Sequence, residues 1–227
     1  MSFKRLLPLV GIEGMNTLKN ARVLVVGVGG VGSYTASALA RSGIGHLIMV
    51  DPDIIEACNI NRQLLAFHSS IGQDKVTWMK THVKDINPEI EVSALKIRYD
   101  EVSSDAIFEL NPTHVIDCID DTKAKVHLIT RCLEKEIPVI SVLAQGNRLK
   151  PGHIVHAKLK DTSYDPIAKK MRSQLKNHPK YSKIEVIWNQ NPAEVELPGQ
   201  GCVASSAVVP AEAGLIAAGV MVEKIVR

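Results

Sequence analysis

Along the first 145 residues, apolar and polar positions follow two alternating periods. "RVLVVGV" (22–28) is a short β-branched run ending in glycine, which predicts a strand buried on both faces. "SYTASALARSG" (33–43) has helical spacing, with Ala36 and Ala40 small enough for close packing and Gly43 as a stop. "HLIMVD" (46–51) predicts a second strand, "DKVTWMKTHVKDI" (74–86) a helix and "EVSALKI" (91–97) a third strand. "HVIDCID" (114–120), "AKVHLITRCLEKE" (124–136) and "PVISVLA" (138–144) predict strand, helix and strand. This alternation predicts an α/β fold with a doubly wound, mostly parallel sheet.

Beyond residue 145 the alternation loosens into a C-terminal elaboration. "HIVHAKL" (153–159) and "KIEVIWN" (183–189) predict strands. Between them, "DPIAKKMRSQLKN" (165–177) predicts a basic amphipathic helix opened by Asp165 and Pro166. "SSAVVPAEAGLIAAGVMVEKIV" (205–226) predicts a closing helix, with Pro210 as a candidate start. There is no internal repeat and no low-complexity tract.

Composition narrows the class. Apolar residues are 45% of the 227, enough for a core, and no apolar run reaches the roughly 18 residues of a membrane span. "MSFKRLLPLVGIEG" has too short an apolar run to read as a signal peptide. The four cysteines form no C-x-x-C pair, which argues against structural zinc and for reduced thiols in a cytoplasm. Net charge is only +3, but residues 148–183 carry ten Lys or Arg against two acids, a local charge of +8 on a body of −5. Such a block fits either a polyanionic partner or a solvated face.

Gly27, Gly29 and Gly32 fit G-x-G-x-x-G, with Gly30 added. Glycines here let phosphate oxygens reach backbone N–H groups at a helix N-terminus. Asp51 ends the second strand nineteen residues after Gly32, where a carboxylate can accept both ribose hydroxyls. The unit is Rossmann-like and predicts an adenine nucleotide, without choosing among NAD, FAD and ATP. "NINRQLL" (59–65) makes the choice. Asn59, Arg62 and Gln63 share one loop, and Lys75 opens the next predicted helix. A dinucleotide's pyrophosphate is already served by the helix N-terminus, so two further cations suit a triphosphate attacked at its α-phosphorus. Asp120, expected at the carboxyl edge of the fourth strand, would sit beside that triphosphate and hold Mg²⁺. The plainer alternatives are surface charge for Arg62 and Lys75 and a helix N-cap for Asp120.

"GVGGVGS", "VDPDIIEACNINRQ", "GQDKV" and "VIDCIDD" resemble the adenylating superfamily that includes MoeB, ThiF and the ubiquitin-activating enzymes. The resemblance implies that Asp51 and Asp53 belong to the nucleotide site, with Asn59, Arg62, Gln63 and Lys75 around the phosphates. It also implies that Asp120 holds Mg²⁺ or orients the α-phosphate. Arg5, in "RLLPLVG", matches an N-terminal arginine that reaches the partner subunit's triphosphate, which implies a homodimer. "ARSGIGHLIMVDPD", "DINPEIEV" and "DPIAKKMRSQLKN" look like the branch of tRNA threonylcarbamoyladenosine dehydratases. The implied chemistry is adenylation of the threonyl carboxylate of the modified adenosine beside a tRNA anticodon, followed by cyclisation.

Three other readings stay open. One is an enzyme activating the Gly-Gly end of a sulfur-carrier or ubiquitin-like protein, disfavoured by missing zinc cysteines and by the basic helix. Another is an NAD-dependent dehydrogenase, which leaves Arg62, Lys75 and Asp120 without roles. The third is a non-catalytic nucleotide-binding partner. We expect one domain, with an N-terminal arm (1–20), a nucleotide-binding core (21–145), a basic substrate-binding insertion (146–204) and a closing helix (205–227). Lys169, Lys170, Arg172 and Lys176 are the expected tRNA contacts. Cys202 reads as a small buried residue, with a sulfur-relay protein donating to it as the competing reading.

Overall fold

A computed structural model of the chain describes residues 3–195 and 203–227. α1 (Leu7–Asn20) comes first, followed by β1 (Arg22–Val26), α2 (Gly32–Arg41), β2 (His46–Val50), α3 (Lys75–Ile86) and β3 (Glu91–Leu95). α4 (Ser104–Phe108), β4 (His114–Asp117), α5 (Thr122–Glu134) and β5 (Val139–Val142) follow. β6 (Ile154–Lys158), α6 (Pro166–Leu175), β7 (Glu185–Asn189) and α7 (Val208–Val226) complete the order.

The seven strands form one sheet in the order β3-β2-β1-β4-β5-β7-β6. All pairs are parallel except β6 with β7. The doubly wound, mostly parallel sheet expected from the pattern is therefore present, and β6 and β7 extend it rather than form a separate lobe. Continuous apolar runs belong to strands covered on both faces. Val23 and Val25 of β1, with Leu47 and Met49 of β2, pack into the cluster beneath α2, α3 and α7. Leu24, Val26, Ile48 and Val50 alternate to the other face, against Leu128, Ile129, Met171 and Leu175 of α5 and α6.

Two departures have local causes. Residues 7–20, expected as an arm, are helical but kinked at Gly11, whose φ of 71° is left-handed. The kink breaks the apolar phase, so Leu18 is buried while Leu9 and Ile12 are exposed. The fourth strand ends at Asp117, three residues before the expected Asp120, because Cys118, Ile119 and Asp120 turn away to line a cavity. The closing helix starts at Val208 rather than at Ser205 or Pro210.

Candidate active site

The strand order reverses between β1 and β4, where open α/β sheets place their ligands. A cavity of about 1600 Å³ opens there, at the carboxyl ends of β1, β2, β4 and β5. Gly27 leaves β1 with φ 90°, and a Cβ on it would lie 2.7 Å from the Cys118 carbonyl oxygen. Gly32 is more constrained still, since its Cβ would meet the Gly27 carbonyl oxygen at 1.8 Å. Gly29 and Gly30 differ: their nearest neighbours leave 3.7 and 3.4 Å, ordinary contact, and both face the cavity. Packing thus demands Gly27 and Gly32, whereas Gly29 and Gly30 keep open a cradle that side chains would fill. α2 starts beneath it with no side-chain cap; its Ser33 N–H bonds to Gly29 O at 3.0 Å, while the Gly32 N–H has no hydrogen-bond partner among the described residues and is open to an anion.

Asp51 is buried at the end of β2. Its Oδ2 accepts from the Val28 N–H at 2.7 Å, and its Oδ1 from the Asp53 N–H at 2.9 Å. Each oxygen keeps a second lone pair. Burial pushes the Asp51 carboxyl above its ordinary pKa, and the nearby Lys75 ammonium pulls it partly back. Lys75 opens α3; its Nζ donates to Asp53 Oδ2 at 2.8 Å and lies 3.9 Å from Asp51 Oδ1.

The 59–65 loop is tied to the glycine loop by Ser33, whose hydroxyl donates to Gly29 O at 2.6 Å and accepts from Leu64 N–H at 3.2 Å. Asn59 is spent locally, its Oδ1 accepting from the Glu56 N–H at 3.1 Å. Arg62 packs its stem beside Gly30, and its Nη1 donates to Cys58 O at 2.7 Å and Asn61 Oδ1 at 3.0 Å. Gln63 is buried near Gly29, and its Oε1 has no partner among the described residues. An orphaned buried acceptor costs about 1–3 kcal/mol unless a ligand or water meets it.

Gly27, Gly29, Gly30, Asp51, Asp53, Asn59, Arg62, Gln63, Lys75 and Asp120 all line this one cavity. Gly32 sits behind the wall and Arg5 is exposed outside it. Asp120 is exposed and accepts no hydrogen bond among the described residues; the N-cap of α5 is Asp121, whose Oδ1 accepts from Ala124 N–H at 2.8 Å. Among the described residues, no three His, Cys, Asp or Glu side chains gather to hold a metal. Asp120 is the carboxylate on this cavity wall that would hold Mg²⁺, an ion that protein sites commonly bind through one or two carboxylates. Cys118 also lines the cavity, but burial pushes its thiol up to about 12, which disfavours a thiolate there. Cys202 lies outside the described residues.

One constellation escaped the sequence reading. Lys125 is fully buried and its Nζ donates to Asp117 Oδ2 at 2.9 Å, Ser141 Oγ at 3.3 Å and Val142 O at 2.7 Å. Ser141 Oγ donates to the same Asp117 oxygen at 2.6 Å, and Asp117 Oδ1 accepts from Ile119 N–H at 3.0 Å. This buried cluster fastens β4, β5 and α5 directly behind the cavity. Its sequence signal was a lysine inside the apolar stripe of Leu128, Ile129 and Cys132.

The basic block divides in two. Arg148 is buried and donates to the Ala144, Gly146 and Asn191 carbonyls. Arg172 donates to Thr162 O at 2.9 Å and to its hydroxyl, so it braces the entry to α6. Lys158 and Lys180 pair with Glu185 and Glu136. Lys150, Lys160, Lys169, Lys170, Lys176 and Lys183 have no ion-pair partner among the described residues; Lys169 and Lys170 on α6 and Lys176 at its C-cap are exposed. Ile167 of the same helix lines the cavity.

The sequence matches the ThiF family over residues 2–218. The chain belongs to the ThiF family. Relatives of this ThiF-family chain include a tRNA threonylcarbamoyladenosine dehydratase of Bacillus subtilis, 44% identical over 79% of this chain and 71% of that one. The Haemophilus influenzae protein of the same name is 35% identical, over 86% of this chain and 77% of its own. Among solved structures, Escherichia coli tRNA N6-threonylcarbamoyladenosine dehydratase in complex with ATP superposes with a TM-score of 0.91 at 29% identity, covering 98% of this chain and 93% of that one. A molybdopterin-synthase adenylyltransferase of Salmonella typhimurium is 37% identical over a shorter stretch, 57% of this chain and 51% of its own.

Proposed function

We propose that this chain is an ATP-dependent adenylating enzyme that dehydrates threonylcarbamoyladenosine in tRNA, beside the anticodon. The observation that carries the reading is the convergence of Arg62, Lys75 and Asp120 with the glycine cradle and Asp51 in one cavity. A dinucleotide leaves those two cations idle, whereas a triphosphate uses both. The dehydratase names of the relatives and the ATP complex of the similar structure support it.

In this reading Asp51 accepts the ribose hydroxyls, and Gly29 and Gly30 let the phosphates approach the start of α2. Lys75 exchanges Asp53 for a phosphate oxygen, and Arg62 swings from Cys58 O to the leaving pyrophosphate. The threonyl carboxylate oxygen attacks the α-phosphorus, the bond to the β-phosphate oxygen breaks, and pyrophosphate departs. The side-chain carbamoyl group then closes on the activated carbonyl, expelling AMP and losing one proton. The product has lost one water overall, carried by the ATP. Asp120 would hold Mg²⁺, which would supply neutralisation of phosphate charge. The exposed lysines of α6 meet tRNA phosphates. The reading includes action in the cytoplasm and a homodimer through the exposed apolar side chains of α1 and α7, Leu9, Ile12 and Leu215, bringing Arg5 to the partner.

Pyrophosphate release from ATP with Mg²⁺ tests it, using threonylcarbamoyl-modified tRNA, unmodified tRNA and a Gly-Gly carrier protein as acceptors. We expect release with modified tRNA alone, lost in Arg62→Ala. Release with the carrier protein alone would keep the nucleotide site and discard the tRNA substrate.

A further inference from the structure

Tyr164 is used by neither the core nor the nucleotide cavity. It stands in the loop entering α6 with a left-handed backbone, φ 55°, a region that bulky side chains seldom occupy. Its side chain is 70% exposed, so no packing repays that conformation. Both neighbours pin it. The Ser163 carbonyl accepts from Trp188 Nε1 at 3.0 Å. Asp165 is buried, its Oδ1 accepting from Ala168 N–H at 2.8 Å and its Oδ2 from Ala144 N–H at 3.1 Å. Pro166 then fixes the next dihedral. The loop thus holds an exposed aromatic ring on a rigid pedestal.

The pedestal's position gives the ring a use. Ala144, bonded to Asp165, lines the nucleotide cavity, as does Ile167 two residues further on. Tyr164 thus directly precedes Asp165, which is bonded to the cavity wall, and leads into α6, whose Lys169 and Lys170 are exposed and without ion-pair partners among the described residues. An exposed aromatic ring leading into a helix of unpaired lysines, on a loop fastened to the cavity wall, offers the chemistry that takes an unpaired nucleobase and its flanking phosphates. A backbone held in an uncommon region at a site's edge is a frequent mark of function.

We propose that Tyr164 is a stacking platform for an unpaired nucleobase flanking the nucleotide that reacts. This rests on the tRNA reading above. The platform positions RNA and takes no part in phosphoryl chemistry.

The test is equilibrium binding of an anticodon stem-loop RNA to the full chain, followed by fluorescence anisotropy across a salt series. Tyr164→Ala weakens binding by between about five- and 150-fold, the range for one lost base stack, and Tyr164→Phe binds as wild type. Tyr164→Asn accepts a left-handed backbone, so it keeps the wild-type thermal midpoint while losing the same affinity. The salt dependence stays parallel to wild type in Tyr164→Ala, whereas Lys169→Glu with Lys170→Glu flattens it. Wild-type affinity in Tyr164→Ala and Tyr164→Asn would overturn the platform, as would a loss in Tyr164→Asn that tracks a lowered midpoint. Stem-loop binding that depends on Tyr164, without pyrophosphate release from the modified stem-loop, supports the platform and sinks the dehydratase reading. A wild-type chain that binds no RNA overturns both.

Discussion

Lys75 and Lys125 are both buried lysines beside an aspartate at the carboxyl edge of the sheet, yet their surroundings give them opposite characters. Lys125 directs all three donors at buried groups: Asp117, Ser141 and the Val142 carbonyl. Lys75 makes one hydrogen bond among the described residues, to Asp53, whose side chain is 56% exposed. A fully satisfied buried pair is scaffold, because moving either member leaves a charge stranded. A pair with spare donors on a cavity wall can trade its carboxylate for a phosphate. Residue type and burial alone would have ranked the two alike; the count of occupied donors separates them.

The sharpest way to break this comparison is to remove each ammonium. Lys125→Met strands Asp117 behind the cavity and should cost about 3–5 kcal/mol of stability, read as a lower urea midpoint. A midpoint close to wild type would show that the cluster is not scaffold. Lys75→Met should do the reverse, lowering kcat for pyrophosphate release by about 100- to 1000-fold, the usual loss for one transition-state donor, with a much smaller shift in midpoint. Equal turnover in Lys75→Met and wild type would remove Lys75 from the chemistry.

A smaller effect sharpens the same corner through pH. Burial holds the Asp51 carboxyl above its ordinary 3.8, with Lys75 opposing. Below the raised value Asp51 is neutral and would lose the charged grip on ribose hydroxyls proposed for it. Hence kcat/KM for ATP should fall with decreasing pH on an acid limb lying above the ordinary aspartate range, and Asp51→Asn should flatten that limb. The stability sign is opposite. A carboxyl with a raised folded pKa prefers the fold when protonated, so its contribution to stability declines as pH rises through the interval above 3.8. An acid limb that is unchanged in Asp51→Asn would assign the titration elsewhere.

Much of the fold was legible because each strand carried its own signal. β1 and β2 are continuous apolar runs, and the glycine spacing with Asp51 reports a strand-turn-helix unit without tertiary information. α1 was illegible because the Gly11 kink breaks its period, so its apolar residues share no single helical face. "DCIDD" shows the limit most clearly. Asp117, Asp120 and Asp121 look alike in sequence, and only the folded environment makes one a buried ion-pair partner, one a cavity carboxylate and one a helix cap. The basic block was similarly uniform on paper. Folding turns Arg148 and Arg172 inward as loop braces and leaves the α6 lysines outside. The lysine-for-apolar exchange at Lys125 was visible in the helical stripe, but it reads equally as a solvated position until Asp117 and Ser141 are placed against it.

The first and last helices described here lie against each other. A Cβ added to Gly14 of α1 would sit 3.5 Å from the Val226 side chain of α7, and α7 also rests on α2 with its own Gly214 closed over Val31. Neither end can unzip without stripping the other of its partner, so amide hydrogens in both helices should exchange through one opening event. Pro210, in the first turn of α7, forms part of the cavity wall. A nucleotide in that cavity would therefore slow exchange in α1 as well, protecting amides in a helix that contributes no wall residue to the site.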